Sequence, residues 1–251
     1  MKNLDGKVAI VSGGARDIGR AVSVKLAAEG AKVAVNYFNS KEDADQTLRE
    51  IEAVGGEAIL VDGDMTKQED VDRLVAKATA AFGERIDILV NVVGGLVARK
   101  TLQEMDAEFF DFLMRLNVTS TFMVTKAVVP LMESGGSIIN FASQAGRDGG
   151  GPGASAYASS KGAVMTFTRA MAKELGPENI RVNSLCPGMI STAFHDTFTK
   201  DAVRENVANA TALKREGSAK EVADTVAYLA SSESSFLTGV NLDINGGLFY
   251  S

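Results

Sequence analysis

The 251-residue chain has one cysteine, one histidine and no tryptophan. A single thiol, Cys186, cannot form a disulfide within the chain and fits a reducing compartment. One thiol and one imidazole are too few soft ligands for a zinc or iron–sulfur centre. The imidazole, His195, stands between Phe194 and Asp196 in a polar segment and reads as an exposed or substrate-loop residue. Prolines number only four, and no Pro/Gly/Ser-rich stretch reads as a linker between domains. An excess of basic charge is also missing. The 26 Lys and Arg face 32 Asp and Glu, a net charge of −6, which offers no footprint for nucleic acid. No apolar run reaches the roughly 18 residues of a membrane span. The charged segment 1–7 is not followed by the apolar core of a signal peptide, so the cytoplasm is the expected location.

What is present is an alternation of short apolar runs with longer amphipathic stretches. Residues 7–12, 32–37, 58–61, 86–91, 137–142, 180–186 and 240–244 read as strands. Residues 18–30, 41–54, 68–82, 105–132 (with a break inside it), 156–175 and 218–230 read as helices. Continuously apolar strands are buried on both faces, as in a parallel sheet. Strict β–α alternation predicts an α/β fold: a three-layer, doubly wound parallel sheet of Rossmann type, in a single domain over 1–251. The irregular segments 146–155 and 189–215 follow strands at their carboxyl ends, where such sheets bind ligands.

The first strand runs into Ser12-Gly13-Gly14-Ala15-Arg16-Asp17-Ile18-Gly19. A glycine-rich turn between a first strand and a first helix aims backbone N–H groups at a phosphate. Gly13 allows the tight turn and Gly19 close helix–strand packing. Asp17 is at odds with a pyrophosphate, since a charge pair at about 6 Å and an effective dielectric near 20 repels by roughly 3 kcal/mol. An N-cap role for its carboxylate and the charge of Arg16 are expected to offset this. The second strand ends in Asn36-Tyr37-Phe38-Asn39-Ser40, with no carboxylate between Lys32 and Lys41 to hold a ribose 2′-hydroxyl. NADP(H) is therefore favoured over NAD(H), with Asn36, Ser40 and Lys41 as candidates for the 2′-phosphate.

Tyr157 and Lys161 are four residues apart, on one helix face. A cation beside a phenol favours the phenolate, bringing its pKa down from about 10 toward the working range of an acid–base catalyst. Taken alone, the spacing also fits a solvated helix face.

Together these motifs resemble the short-chain dehydrogenase/reductase family, over essentially the whole chain. Residues 12–19 match its T-G-x-x-x-G-x-G fingerprint with Ser12 for Thr and Asp17 for the middle glycine. The resemblance implies an oxidoreductase whose catalytic residues are Asn117, Ser143, Tyr157 and Lys161. Tyr157 exchanges the proton, Lys161 lowers its pKa and holds the nicotinamide ribose, Ser143 orients the substrate oxygen, and Asn117 holds a water. It also implies that Asp64 and Met65 contact adenine, and that Asn91 and Gly94 flank the cofactor. Tyr37 stands where NAD-type members carry Asp, and Arg16 matches a basic position of NADP-using members, which implies a contact with the 2′-phosphate. Pro187, Gly188, Ile190 and Thr192 meet the carboxamide or phosphates. Segment 189–215 is the implied substrate lid, and Leu96, Gln144, Met189, Phe194, His195 and Phe198 line the pocket loops. The likeness is closest to 3-oxoacyl-(acyl-carrier-protein) reductases, with sugar or polyol dehydrogenases as the alternative. The implied partner is a small carbonyl or alcohol, free or as an acyl carrier protein thioester. An acidic carrier calls for basic residues, yet Glu174 and Glu178 stand where such a patch is sought. A homotetramer is also implied. A non-catalytic nucleotide-binding protein is a competing reading, supported by Asp17 and by Val92-Val93 where the family has Asn-Ala.

Overall fold

The computed structural model describes residues 3–193, 198 and 200–251. Phe194 and His195 lie outside the described residues. Seven parallel strands form one sheet in the order β3-β2-β1-β4-β5-β6-β9. They are β1 (Val8–Ser12), β2 (Lys32–Tyr37), β3 (Glu57–Asp62), β4 (Ile88–Asn91), β5 (Ser137–Phe141), β6 (Arg181–Pro187) and β9 (Asn241–Ile244). Two short strands, β7 (Ile190–Ser191) and β8 (Gly217–Ser218), pair apart from it. The chain belongs to the Rossmann type of single-domain α/β fold.

Side chains alternate across the strands because the strand period is two. Ala9 and Val11 face one layer, with α1 (Asp17–Ala28), α2 (Lys41–Ala53) and α9 (Ala219–Ala230). Val8 and Ile10 face the other, with α3 (Gln68–Phe82), α5 (Ser120–Val128) and α7 (Ser155–Leu175). The strand order reverses between β1 and β4, and this switch point opens a crevice at the carboxyl ends of the strands.

One row of the sheet is polar. Ser12, Asn91, Asn140, Ser184 and Asn241 stand side by side on β1, β4, β5, β6 and β9. Asn91 Nδ2 donates to Asn140 Oδ1 at 2.9 Å, and Asn140 Nδ2 donates to Thr168 Oγ1 at 3.0 Å. Ser184 Oγ donates to Asn241 Oδ1 at 2.6 Å.

The break expected in 105–132 is a π-helical turn, Arg115–Thr119, between α4 (Ala107–Met114) and α5. The irregular reading of 189–215 is corrected in part: Asp201–Ala210 is a helix, α8, and β7 lies before it. A helical turn, α6 (Ala145–Asp148), follows Ser143.

Candidate active site

The turn after β1 is built for close approach. A Cβ on Gly19 would stand 2.0 Å from Gly13 O, and one on Gly13 (φ +68°) 3.1 Å from Val93 N. Both positions therefore require glycine. No side chain caps the N-terminus of α1, whose N-cap is the exposed Arg16, so its first N–H groups stay available for an anion. Ser12 is buried at the end of β1, and Ile18 lies in the first turn of α1. The turn thus fits a dinucleotide pyrophosphate.

Asp17 departs from the expected N-cap role. It takes a left-handed conformation (φ +49°), and its Oδ1 accepts from Ala193 N at 3.0 Å, beyond β7, rather than from α1. Asn36 is corrected as well. It is buried, its Oδ1 accepts from Gly13 N at 3.0 Å, and its Nδ2 donates to Gly63 O at 2.9 Å. It therefore holds the phosphate turn in place and is not free to reach a 2′-phosphate. Lys41 is paired with Asp45. That leaves Arg16 at the N-cap of α1, and Tyr37 and Ser40 at the end of β2.

Asn117 occupies the π-helical turn, fully buried, and acts across space. Its Oδ1 accepts from Gly95 N at 2.9 Å, while its Nδ2 donates to Gly95 O at 3.1 Å and Leu113 O at 3.0 Å. The turn places this amide against the loop after β4. A Cβ on Gly94 (φ +156°) would stand 2.5 Å from Asn117 Oδ1 and 2.9 Å from Lys161 Nζ. Gly94 is the point where Asn117 and Lys161 converge.

Lys161 is 4% exposed and its Nζ donates to Phe141 O at 2.7 Å. Burial lowers its pKa to about 8. The Nζ lies 5.8 Å from the centroid of the Tyr157 ring. Tyr157 is partly open to the cleft, but desolvation pushes its pKa above the usual 10, and a hydrogen bond with Ser143 only partly opposes this. The expected depression by Lys161 is thus not the governing effect in the free protein; burial is. Ser143 Oγ also accepts from Ala145 N at 3.2 Å, which seats it at the start of α6.

The other expected positions are spread along the carboxyl ends of the strands. Gly188 packs against Asn245, where a Cβ would meet the Asn245 Cβ at 2.7 Å, and Pro187 O accepts from Gln144 N at 3.0 Å. Ile190 is buried, and Thr192 Oγ1 donates to Ile190 O at 3.2 Å. Asp64 Oδ1 accepts from Thr66 N and Thr66 Oγ1, at 3.0 and 2.8 Å. The Met65 side chain packs in the core, so an adenine contact from it is not presented. Asn91 is inside the polar row.

Two features escaped the sequence reading. Val97, on the loop after Gly94, is β-branched and yet left-handed (φ +62°), a strained conformation at the cleft. Arg147 Nε donates to Asp243 Oδ1 at 2.6 Å, and its guanidinium also donates to Asn241 O, pinning α6 to β9. Neither leaves a sequence signal, because each depends on segments that meet only in the fold.

The crevice, the glycine cradle and the Ser143–Tyr157–Lys161 cluster define an oxidoreductase of the dinucleotide-binding class. The family model described as enoyl-(acyl carrier protein) reductase matches residues 13–249. The chain is 39% identical over 252 residues to a 3-oxoacyl-(acyl-carrier-protein) reductase of Synechocystis sp., covering 99% of each. It is 36% identical over 257 residues to versicolorin reductase 1 of Aspergillus parasiticus, covering 98% of this chain and 97% of that one. The crystal structure of a short chain dehydrogenase from Burkholderia cenocepacia in complex with NADP matches with a TM-score of 0.91 at 33% identity, over 98% of this chain and 99% of that one. The chain belongs to the short-chain dehydrogenase/reductase family. It is an enzyme of carbonyl–alcohol oxidoreduction with a nicotinamide dinucleotide.

Proposed function

We propose that the protein is an NADP(H)-dependent reductase that interconverts a small ketone, a 3-oxoacyl compound among them, and a secondary alcohol. The observation that carries this reading is the convergence of Lys161 and Asn117 on Gly94, beside the hydrogen-bonded Ser143 and Tyr157. The choice of NADP(H) is supported by the carboxylate-free end of β2 and the exposed Arg16. The NADP complex of the Burkholderia relative points the same way.

When bound in its reduced form, the nicotinamide supplies the hydride to the carbonyl carbon. The Ser143 hydroxyl donates to the carbonyl oxygen and fixes it beside Tyr157. The Tyr157 hydroxyl passes its proton to that oxygen as negative charge develops there. The phenolate left behind is stabilised by the Lys161 ammonium, whose attraction is strengthened by its burial. Asn117 holds Gly95, and with it Gly94, packed beside that ammonium. Proton uptake from solvent then restores Tyr157. Alcohol oxidation follows the same steps in reverse.

We place the enzyme in the cytoplasm, consistent with its one buried, unpaired thiol, and as a homotetramer. Exposed Phe110, Phe112 and Phe122 on α4 and α5 support self-association.

The test is loss of NADPH absorbance with acyl thioesters, keto sugars and simple ketones, repeated with NADH. Turnover with NADPH is expected to exceed that with NADH. Tyr157→Phe is expected to lower kcat by about 100-fold or more without changing NADPH affinity. No turnover across the panel favours a non-catalytic binding protein.

A further inference from the structure

Helix α6 is a single turn that follows Ser143 almost directly. Its own sequence gives it little hold. No side chain caps its N-terminus, and the chain leaves it through Gly149, Gly150 and Gly153, all at positive φ. What holds the turn comes from elsewhere in the fold. On one side Gly146 lies flat against α7, where a Cβ would stand 2.8 Å from both Gly162 N and the Lys161 carbonyl carbon. On the other side Arg147 reaches past β6 to β9. Its Nε donates to Asp243 Oδ1 at 2.6 Å, and its guanidinium donates to Asn241 O. The two side chains are only 15% and 14% exposed. Cys186, opposite Asp243 on β6, places its thiol beside the same guanidinium.

The path from Arg147 to the reacting groups is short. Ala145 N, in α6, donates to Ser143 Oγ at 3.2 Å, and that hydroxyl is the one hydrogen-bonded to Tyr157. The backbone around Ser143 is tied to β6 by Ala142 N to Leu185 O at 2.9 Å and Gln144 N to Pro187 O at 3.0 Å. Those bonds fix where the residue stands. They leave the direction of its hydroxyl to α6.

We propose that Arg147 is a positioning residue for the reaction: its bonds to Asp243 and Asn241 clamp α6 between α7 and β9, and α6 aims the Ser143 hydroxyl at Tyr157. Desolvation offsets much of the attraction in so buried an ion pair, so its main contribution is one fixed orientation of α6 rather than net stability. The effect on turnover rests on the reductase reading; the clamp itself does not.

Arg147→Met keeps the stem of the side chain and removes the guanidinium. It is expected to lower kcat by about tenfold, with NADPH affinity in a fluorescence titration unchanged. Arg147→Lys, which keeps a cation able to reach Asp243, should recover part of the loss. Arg147→Met/Asp243→Leu leaves no buried charge without its partner and should show the same low kcat, so the test survives if Arg147→Met alone fails to fold. Added to Ser143→Ala, Arg147→Met should cost nothing further, because its effect passes through that hydroxyl. A wild-type kcat in the Met variants, or losses that multiply with Ser143→Ala, overturn the proposal. A second measurement needs no turnover. The chain has four tyrosines, so NMR of protein labelled at tyrosine Cζ gives few signals, and Tyr157→Phe assigns that of Tyr157. The Tyr157 signal should move in Arg147→Met as it does in Ser143→Ala, and no further when the two are combined. A signal that stays in place in Arg147→Met overturns the clamp. A moved signal in a protein that turns over no ketone sinks the reductase reading and upholds the clamp. Turnover with an unmoved signal does the reverse.

Discussion

Replacing Gly94 by alanine tests whether the site is as tightly built as its geometry implies. The added Cβ would stand 2.5 Å from Asn117 Oδ1 and 2.9 Å from Lys161 Nζ. Neither atom can yield freely, because Asn117 is held by Gly95 and Leu113, and Lys161 by Phe141 O. If the Asn117 amide moves, its bonds to Gly95 are lost where no water can replace them, at about 1–3 kcal/mol. A non-glycine residue at positive φ adds about 1–2 kcal/mol. The expected loss of stability is therefore about 2–5 kcal/mol. Gly83→Ala is the matched control, since Gly83 has φ +99° but nothing within 4 Å of an added Cβ. It should cost only the backbone part, about 1–2 kcal/mol. Urea unfolding followed by far-UV circular dichroism measures both, as the chain has no tryptophan. The folded Gly94→Ala protein should also lose about tenfold or more in kcat, through the displaced Lys161, while Gly83→Ala keeps it. Equal stability losses in the two variants would refute the crowding at Gly94.

Three further outcomes are expected. Lys161, with a folded pKa of about 8 against 10.5 when unfolded, binds fewer protons folded than unfolded above pH 8, so stability rises with pH there. The gain between pH 8 and 9 is about 1 kcal/mol. Cys186, pushed up to about 11 by burial, opposes the rise from about pH 9 upward. Urea titrations of wild type and Lys161→Met check this, and a wild-type curve that is flat or falling from pH 8 to 9 contradicts it. Asn36→Leu strips Gly13 N of its acceptor and should weaken NADPH binding by about tenfold in a fluorescence titration; unchanged affinity would show that the turn holds itself. Asp17→Gly removes a carboxylate and a left-handed strain from the phosphate turn. It should tighten NADPH binding by about tenfold at low salt, and an unchanged or weaker affinity argues against the repulsion.

The strands were legible because burial on both faces leaves continuous apolar runs such as Val8–Val11. The glycine turn was legible because its conformation excludes every other residue at Gly13 and Gly19. The break near the middle of 105–132 was legible as an interruption, but not as a π-helical turn. Asn117 within it bonds a partner 22 residues away, Gly95, which no local pattern records. The roles of Asn36 and Asp17 were misjudged for the same reason. Asn36 stands next to Tyr37 in sequence, yet its bonds run to Gly13 and Gly63. The partner of Asp17 is 176 residues away. The Tyr157–Lys161 spacing correctly brings phenol and ammonium near one another, but spacing says nothing of how much water burial removes from each.

The polar row across the sheet also acts as a ruler. Parallel strands of similar apolar residues can slide past one another at little cost in burial, whereas a slip here would strand amides and hydroxyls among apolar neighbours. The residues just past this row form the loops of the proposed site: Gly13 after Ser12, Val92 to Gly94 after Asn91, Ala142 and Ser143 beyond Asn140, Pro187 and Gly188 beyond Ser184. Fixing the row fixes the height at which each strand delivers its loop. Helix α7, which carries Tyr157 and Lys161, is tied to the same row through Thr168, so the alignment of turn, lysine and tyrosine is set inside the core, before any ligand arrives.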